Sequence, residues 1–421
     1  RRVLAELDHL RAPAALQRAW ETWTLLLASL PPCDTLDLAL EDDLADTLRR
    51  LADTLALTPL DYEEIDRTVL EILWQIPALS AWFSEPFPKL VWSPRDGELR
   101  LTCLDAAHPV GEILREYAGV IFATATPGPA QTFAEACGLM PASSEIPNSK
   151  SQIPKNTSAA VPRGSRGNEA ESAIGHSVTS VTAHTPWRDH AYDIAYDVRV
   201  DTSFQQRARH AGTTADTIAA LHAAAGRAGT PLPDPGNPPP APTPCVAVFF
   251  PSYAYAEAIQ RTLEQRHPHL RVALQPRLSD LAAQTAWVDE SLAFTDALFL
   301  VLGSSFAEGI DTLGGRISHA MVVGPALPEV NPVQKARLAA LAGHTREAAF
   351  RRVYQIPGIQ KVNQALGRLV RSPGQRAKVI LHCRRFLEPA YASLLDHDYQ
   401  FGATLATPED LSGWLKRPHG L

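Results

Sequence analysis

The sequence predicts an α/β protein in which a parallel sheet carries helices on both faces and follows an all-helical segment. Three observations predict this. Asp296-Ala297-Leu298-Phe299-Leu300-Val301-Leu302 is continuously apolar after its first residue, as expected of a central parallel strand covered on both faces. Val246 to Phe250 and His319 to Val323 are two further short apolar runs of strand length. Residues 1–85 instead repeat apolar residues at helical spacing: Leu4, Leu7, Leu10, then Leu16, Trp20, Trp23, Leu27, and later Ile65, Val69 and Ile72.

Along the chain, each remaining element has its own local reason. Leu90-Val91-Trp92, a turn around Asp96-Gly97, and Leu99-Leu101-Cys103 read as a β-hairpin. Val120 to Ala123 read as a short buried strand with the hydroxyls of Thr124 and Thr126 at its carboxyl end. Residues 143–185 are rich in Ser, Asn, Pro, Gly and Ala, and this composition predicts disorder or a long excursion. Tyr196 to Asp201 is a predicted strand, a helix follows near Thr214 to Ala225, and Pro231 to Pro244 form a Pro-rich loop. The expected division is 1–88, 89–142, an insertion over 143–190, and 191–421.

Composition bounds the function classes. The 421 residues suffice for two or three domains, and 45% hydrophobic with 20% charged residues is ordinary for chains that bury real cores. No run approaches the ~18 apolar residues of a membrane span, and no N-terminal signal is evident, so a cytoplasmic protein without a membrane partner is expected. The net charge of −7 argues against binding polyanions over the whole surface. One local candidate is the stretch Lys361 to Arg385, which holds seven basic residues and no acidic one. Cys33, Cys103, Cys137, Cys245 and Cys383 are isolated, so no disulfide framework, zinc site or iron–sulfur cluster is expected from them. The histidines show no ligand spacing, and no metal is assigned to this chain.

Four polar segments carry the functional signal. In Gln364-Ala365-Leu366-Gly367-Arg368-Leu369-Val370-Arg371, steps of four and three put Gln364, Arg368 and Arg371 on one helical face, with Leu366, Leu369 and Val370 toward a core. Arginine suits phosphate because its planar fork donates two parallel hydrogen bonds, and Gly367 permits close approach; a solvated basic face is the alternative. Ser252 and Tyr253, after the Val246–Phe250 run, can donate to a phosphate or stack on a base, and Ser252 can cap the helix that follows. Gly303-Ser304-Ser305 and Glu308-Gly309-Ile310-Asp311 follow the central strand, where an acidic turn capping a helix is the alternative reading. The hydroxyls of Thr124 and Thr126 make the fourth segment, or a Thr-rich turn ending a strand.

Taken in order, Gly119 to Thr126, Phe249-Phe250-Pro251-Ser252-Tyr253, Gly303 to Asp311 and Gln-x-x-Gly-Arg-x-x-Arg resemble the C-terminal half of a superfamily 2 helicase of the DinG/XPD type, over roughly Leu99 to Leu387. The resemblance implies a RecA-like motor domain, an arch for the N-terminal helices, and ATP-dependent 5′-to-3′ movement on single-stranded DNA. It makes Arg371 and Arg368 arginine-finger candidates, and Gln364 the group that orients the water or the first arginine. Glu308 and Asp311 become acceptors near the nucleotide, with Gly309 and Gly367 allowing approach. Thr124, Thr126, Ser252, Tyr253, Ser304 and Ser305 become strand contacts.

The departures are as informative. Pro127 follows the Thr-Ala-Thr element where the family usually has leucine. His382-Cys383 stand where the family usually places an aspartate before the arginine, so Arg384 and Arg385 are expected to be free for phosphate. The sequence has no Gly-x-x-x-x-Gly-Lys-Ser/Thr, and its one Asp-Glu pair, Asp289-Glu290, reads as a solvated helix or turn. ATP and Mg²⁺ are therefore expected to be held by a missing N-terminal motor domain, in cis or in trans, and this chain alone to be inactive. The rival expectation is a non-catalytic nucleic-acid-binding or scaffold protein derived from a motor domain, with RNA as an alternative substrate.

Overall fold

The computed structural model describes residues 2–61, 63–126, 128–139, 179–183, 185–226, 244–308 and 311–418. Most of the expected 143–190 insertion, the Pro-rich loop up to residue 243, and Gly309 with Ile310 lie outside the described residues.

The N-terminal segment is helical: α1 (Arg2–His9), α2 (Ala14–Ala28), α3 (Leu38–Ala56) and α4 (Arg67–Ser84). Asp37 and Asp66 cap α3 and α4 by accepting backbone amides, which satisfies donors that a helix start leaves open. The periodic positions Leu7, Leu16, Trp20 and Trp23 are buried with Leu44, Leu48, Leu51 and Leu73 in one core. A hairpin follows, β1 (Lys89–Trp92) antiparallel to β2 (Arg100–Cys103), with Val91 opposite Leu101. Then come α5 (Ala107–Arg115) and α6 (Ala130–Ala136).

The second half is a seven-stranded sheet in the order β5-β6-β4-β7-β8-β3-β9, with every pairing parallel. Its strands are β3 (Tyr192–Asp197), β4 (Val246–Phe250), β5 (Val272–Leu274), β6 (Ala297–Val301), β7 (His319–Val322), β8 (Ala377–Leu381) and β9 (Ala403–Leu405). Between them run α7 (Ala211–Ala225), α8 (Tyr253–Arg266), α9 (Leu281–Phe294), α10 (Ser305–Glu308), α11 (Pro332–Ala340), α12 (Arg346–Phe350), α13 (Ile356–Leu366) and α14 (Pro389–Ala392), and α15 (Pro408–Lys416) follows β9. Strand side chains alternate between the two faces. Ala247, Phe249, Leu298 and Leu300 pack with Val288 of α9 and Ile359 and Val362 of α13, while Val246, Val248, Phe250 and Phe299 pack with Ile218 of α7, Ile259 of α8 and Trp414 of α15. Helices on both faces explain why the strands read as unbroken apolar runs.

Three expected elements differ. Val120 to Ala123 form no strand: the segment joins no ladder and Ile121 is 95% exposed. A strand needs a neighbour for its backbone groups, and none of the described strands pairs with this one. The strand expected at Tyr196 to Asp201 runs instead from Tyr192 to Asp197. It stops there because the Asp197 carboxylate accepts both the backbone amide of Arg199, at 3.2 Å, and its guanidinium, at 2.8 Å, which curls the chain into a turn. The helix expected through Arg371 ends at Leu366; Arg368 and Leu369 donate to the carbonyls of Ala365 and Leu366, tightening the last turn. Leu366, Leu369 and Val370 are buried all the same.

Candidate nucleic-acid and nucleotide interface

Ligands of open parallel sheets bind outside the carboxyl ends of the strands. Five strands deliver polar groups there. Beyond β4, Ser252 accepts the amide of Tyr255 at 3.4 Å and so caps α8, while Tyr253 begins the helix half-buried. Beyond β5, the amide of Gln275 donates to the Tyr253 hydroxyl at 2.6 Å, and its carbonyl accepts the Val301 amide at 2.7 Å and the Ser304 hydroxyl at 3.2 Å. Gln275 is buried, so all of its side-chain oxygen's bonds go to protein and it ties the ends of β4, β5 and β6 together. Arg277 lies over the Tyr253 ring, 4.4 Å from its centroid. Sequence inspection passes over Gln275 and Arg277, because they follow a three-residue strand outside any recognisable segment.

Beyond β6, Gly303 has φ +78, a conformation that suits glycine. A Cβ there would lie 2.9 Å from Lys361 Nζ, so the missing side chain is what lets the lysine cross the turn. The adjacent Gln360 donates to the Thr126 carbonyl at 3.4 Å, and Arg352 pairs with Glu135 at 2.9 Å. These contacts bring Thr124 and Thr126, exposed and half-buried respectively, beside the same stretch of α13 that touches the Gly303 turn. Ser305 is exposed at the start of α10. The side chains of Glu308 and Asp311, with Gly309, fall outside the described residues.

Beyond β8 and β3 lies a charged network. His382 Nδ1 meets Asp197 at 2.7 Å, its Nε2 meets the Thr214 hydroxyl at 2.9 Å, and both His382 and Asp197 are fully buried. Burial would raise the Asp197 carboxyl, but the Arg199 fork and His382 outweigh it and hold it far below the ordinary carboxylate range. His382 thus supplies a partner for the β3 carboxylate through the sheet. The expectation that Arg384 and Arg385 are free for phosphate is corrected here. Arg384 donates to Asp201 at 2.7 Å, and Arg385 reaches Thr202 at 3.4 Å and the Tyr391 ring. The basic stretch is also less of a surface than its composition implies. Lys378 is 3% exposed and donates to the carbonyls of Trp414 and Arg417 at the end of α15.

Gln364, Arg368 and Arg371 do not join the carboxyl edge. The Tyr192 hydroxyl donates to the Leu366 carbonyl at 2.9 Å, which sets the end of α13 where β3 begins, at the amino edge. Gly367 packs toward Asn363 and Tyr399. Arg371 is exposed and its stem lies against Gly314, so the arginines stand next to the segment that follows Asp311. The sheet therefore separates the candidates into a hydroxyl-rich carboxyl edge and an arginine pair at the other end of α13.

Residues 242–400 match the helicase C-terminal domain family. The chain's fold is similar, over 96% of its length, to an XPD helicase (TM-score 0.51, 14% identity), to apo XPD (0.51, 14%) and to Xpd4 of S. tokodaii (0.54, 11%). The chain spans 64%, 71% and 69% of those chains. No curated protein sequence matches it. Among the described residues no helix is long and apolar enough to cross a membrane, and no three metal-ligating side chains converge.

Within the matched residues, Asn363 clasps the loop after α14. It donates to the Leu394 carbonyl at 2.9 Å and to Asp396 at 3.2 Å, and accepts the Asp396 amide. Burial and the neighbouring Asp398 push the Asp396 carboxyl up to about 6. A raised carboxyl contributes fully below its unfolded value and loses that contribution as pH rises through about 6. Asp396→Asn is therefore expected to stabilise the protein by roughly 2–3 kcal/mol at pH 8 and hardly at pH 4. Denaturant melts at the two pH values check this; an equal effect at both would remove the ionisation argument.

Proposed function

We propose that this chain is the C-terminal part of an ATP-dependent DNA helicase that moves on single-stranded DNA. In this reading, residues 191–421 form the second RecA-like motor domain, 1–88 an arch-like segment, and 89–142 the last part of a first motor domain whose remainder joins in cis or in trans. ATP with Mg²⁺ would be held by that first domain. The observation that carries the proposal is the separation of polar groups on one sheet. Hydroxyls and amides crowd the carboxyl edge around Gln275, and the arginines stand at the far end of α13.

That separation supports a division of labour. Thr124, Thr126, Ser252, Tyr253, Ser304 and Ser305 would grip the strand, while Arg368 and Arg371, with Gln364, Glu308, Gly309, Asp311 and Gly367, would meet the nucleotide. Closure of the cleft by ATP would bring the arginines onto phosphates whose charge grows in the transition state, and hydrolysis would release the strand. The resemblance implies 5′-to-3′ movement, and a cytoplasmic location is the default for a chain in which no membrane span or signal segment is read.

The test is ATP turnover by the complete reading frame with and without single-stranded DNA. Strand-stimulated turnover is expected, with none from residues 1–421 alone. Turnover absent in the complete protein, alongside salt-sensitive strand binding, would instead favour a non-catalytic binding protein derived from a motor.

A further inference from the structure

Two cations are tied to the Gly303–Ser304 turn, one directly and one through Tyr253 and Gln275. Lys361 crosses Gly303 from α13, and Arg277 stands over Tyr253, which Gln275 links by hydrogen bonds to Ser304. Arg277 is exposed and Lys361 half-buried, and among the described residues neither has a carboxylate partner. This sets them apart from Arg384, Arg352, Arg316 and Arg271, each of which is ion-paired.

From this juxtaposition we propose that Lys361 and Arg277 are phosphate contacts for a single nucleic-acid strand lying across the Gly303–Ser304 turn. Rigidity is what makes the place a site. Gln275 is buried and bonds to Tyr253, Val301 and Ser304, so the ends of β4, β5 and β6 and the Tyr253 ring are fixed before a strand arrives. The ring holds the Arg277 charge by a cation–π contact, leaving its N–H groups to donate outward. Gly303 has no side chain to lift Lys361 off the turn. The groups that link the two cations are Gly303, the Ser304 hydroxyl, Gln275 and the Tyr253 hydroxyl, and the small Gly303 and Ser304 leave room for a sugar–phosphate backbone to approach closely.

The inference rests on the strand-binding half of the proposed function, and one experiment separates the two. Fluorescence anisotropy of a labelled oligodeoxythymidylate is measured with the whole chain over a series of KCl concentrations. Each phosphate contact on a single strand contributes about 0.7 to the slope of log affinity against log salt. Arg277→Ala and Lys361→Ala are each expected to weaken binding about tenfold at moderate salt and to reduce the slope by about 0.7, and the double variant by about 1.4. Arg277→Lys should restore the slope, whereas Arg67→Ala, on the exposed face of α4, should change neither quantity. Wild-type binding with both alanine variants unchanged overturns this inference alone. No wild-type binding at any salt overturns it together with the strand-binding reading.

Discussion

Asp197→Ala is expected to destabilise the protein by about 3–5 kcal/mol, because it strips the acceptor from two buried donors at once. Asp197 accepts from both ends of the Arg199 fork and from His382 Nδ1, and Thr214 closes the other side of the imidazole. Without the carboxylate, one ring nitrogen loses its partner and the guanidinium keeps only the Thr217 hydroxyl, while both keep their desolvation cost. The same arrangement fixes the pH dependence. A depressed carboxyl contributes stability above its unfolded value, near 4, that is lost as pH falls toward the folded value. Wild type should therefore weaken in acid more steeply than Asp197→Ala, and denaturant melts between pH 3 and pH 7 measure the difference. Parallel pH profiles for the two proteins would show that the carboxylate is not ionised against these partners.

This network also shows where sequence reading stops. His382 and Asp197 are 185 positions apart and meet only because β3 pairs with β8 in register, Tyr196 opposite Leu381. No local pattern encodes that contact, so the missing aspartate before Arg384 reads as a loss when another pair fills the place. By contrast, β4, β6 and β7 are legible because both of their faces are buried, which leaves an apolar run that only a covered strand or a buried helix would keep. The same logic fails for Val120 to Ala123: an apolar run states a preference for burial, and pairing depends on a neighbour that the described residues do not supply.

Site residues divide in a similar way. Ser252 is readable as a cap because the helical pattern starts at once after it, and the cap bond is local. Lys378 reads as part of a basic surface because charge is counted without burial, yet it holds the end of α15 through two carbonyls and stacks on Trp414. Gln275 is invisible for the opposite reason. A single glutamine just after a short strand has no motif, although its three partners are what hold Tyr253 and Ser304 in one place.

The largest effect on activity is expected at Arg371. In the complete motor, Arg371→Ala should lower strand-stimulated ATP turnover by about 10³-fold or more while leaving strand affinity within about twofold, because arginine fingers act on transition-state charge and not on the strand. The protein holds the base of this arginine firmly. Its backbone amide donates to Gln375 at 2.7 Å, and its stem lies so close to Gly314 that a Cβ there would sit 2.8 Å from Arg371 Cγ. Gly315, at φ +72, leaves room for the Gln375 amide in turn. A charge fixed before the reaction costs no reorganisation during it. Arg371→Lys should therefore recover little, since an ammonium cannot reproduce the planar fork. Gly314→Ala should also depress turnover, by displacing the arginine with its charge intact. Single-turnover ATP hydrolysis and oligonucleotide anisotropy on the same preparations check all three. Equal losses of turnover and strand affinity would place Arg371 among the strand contacts, and unchanged turnover would remove it from the chemistry.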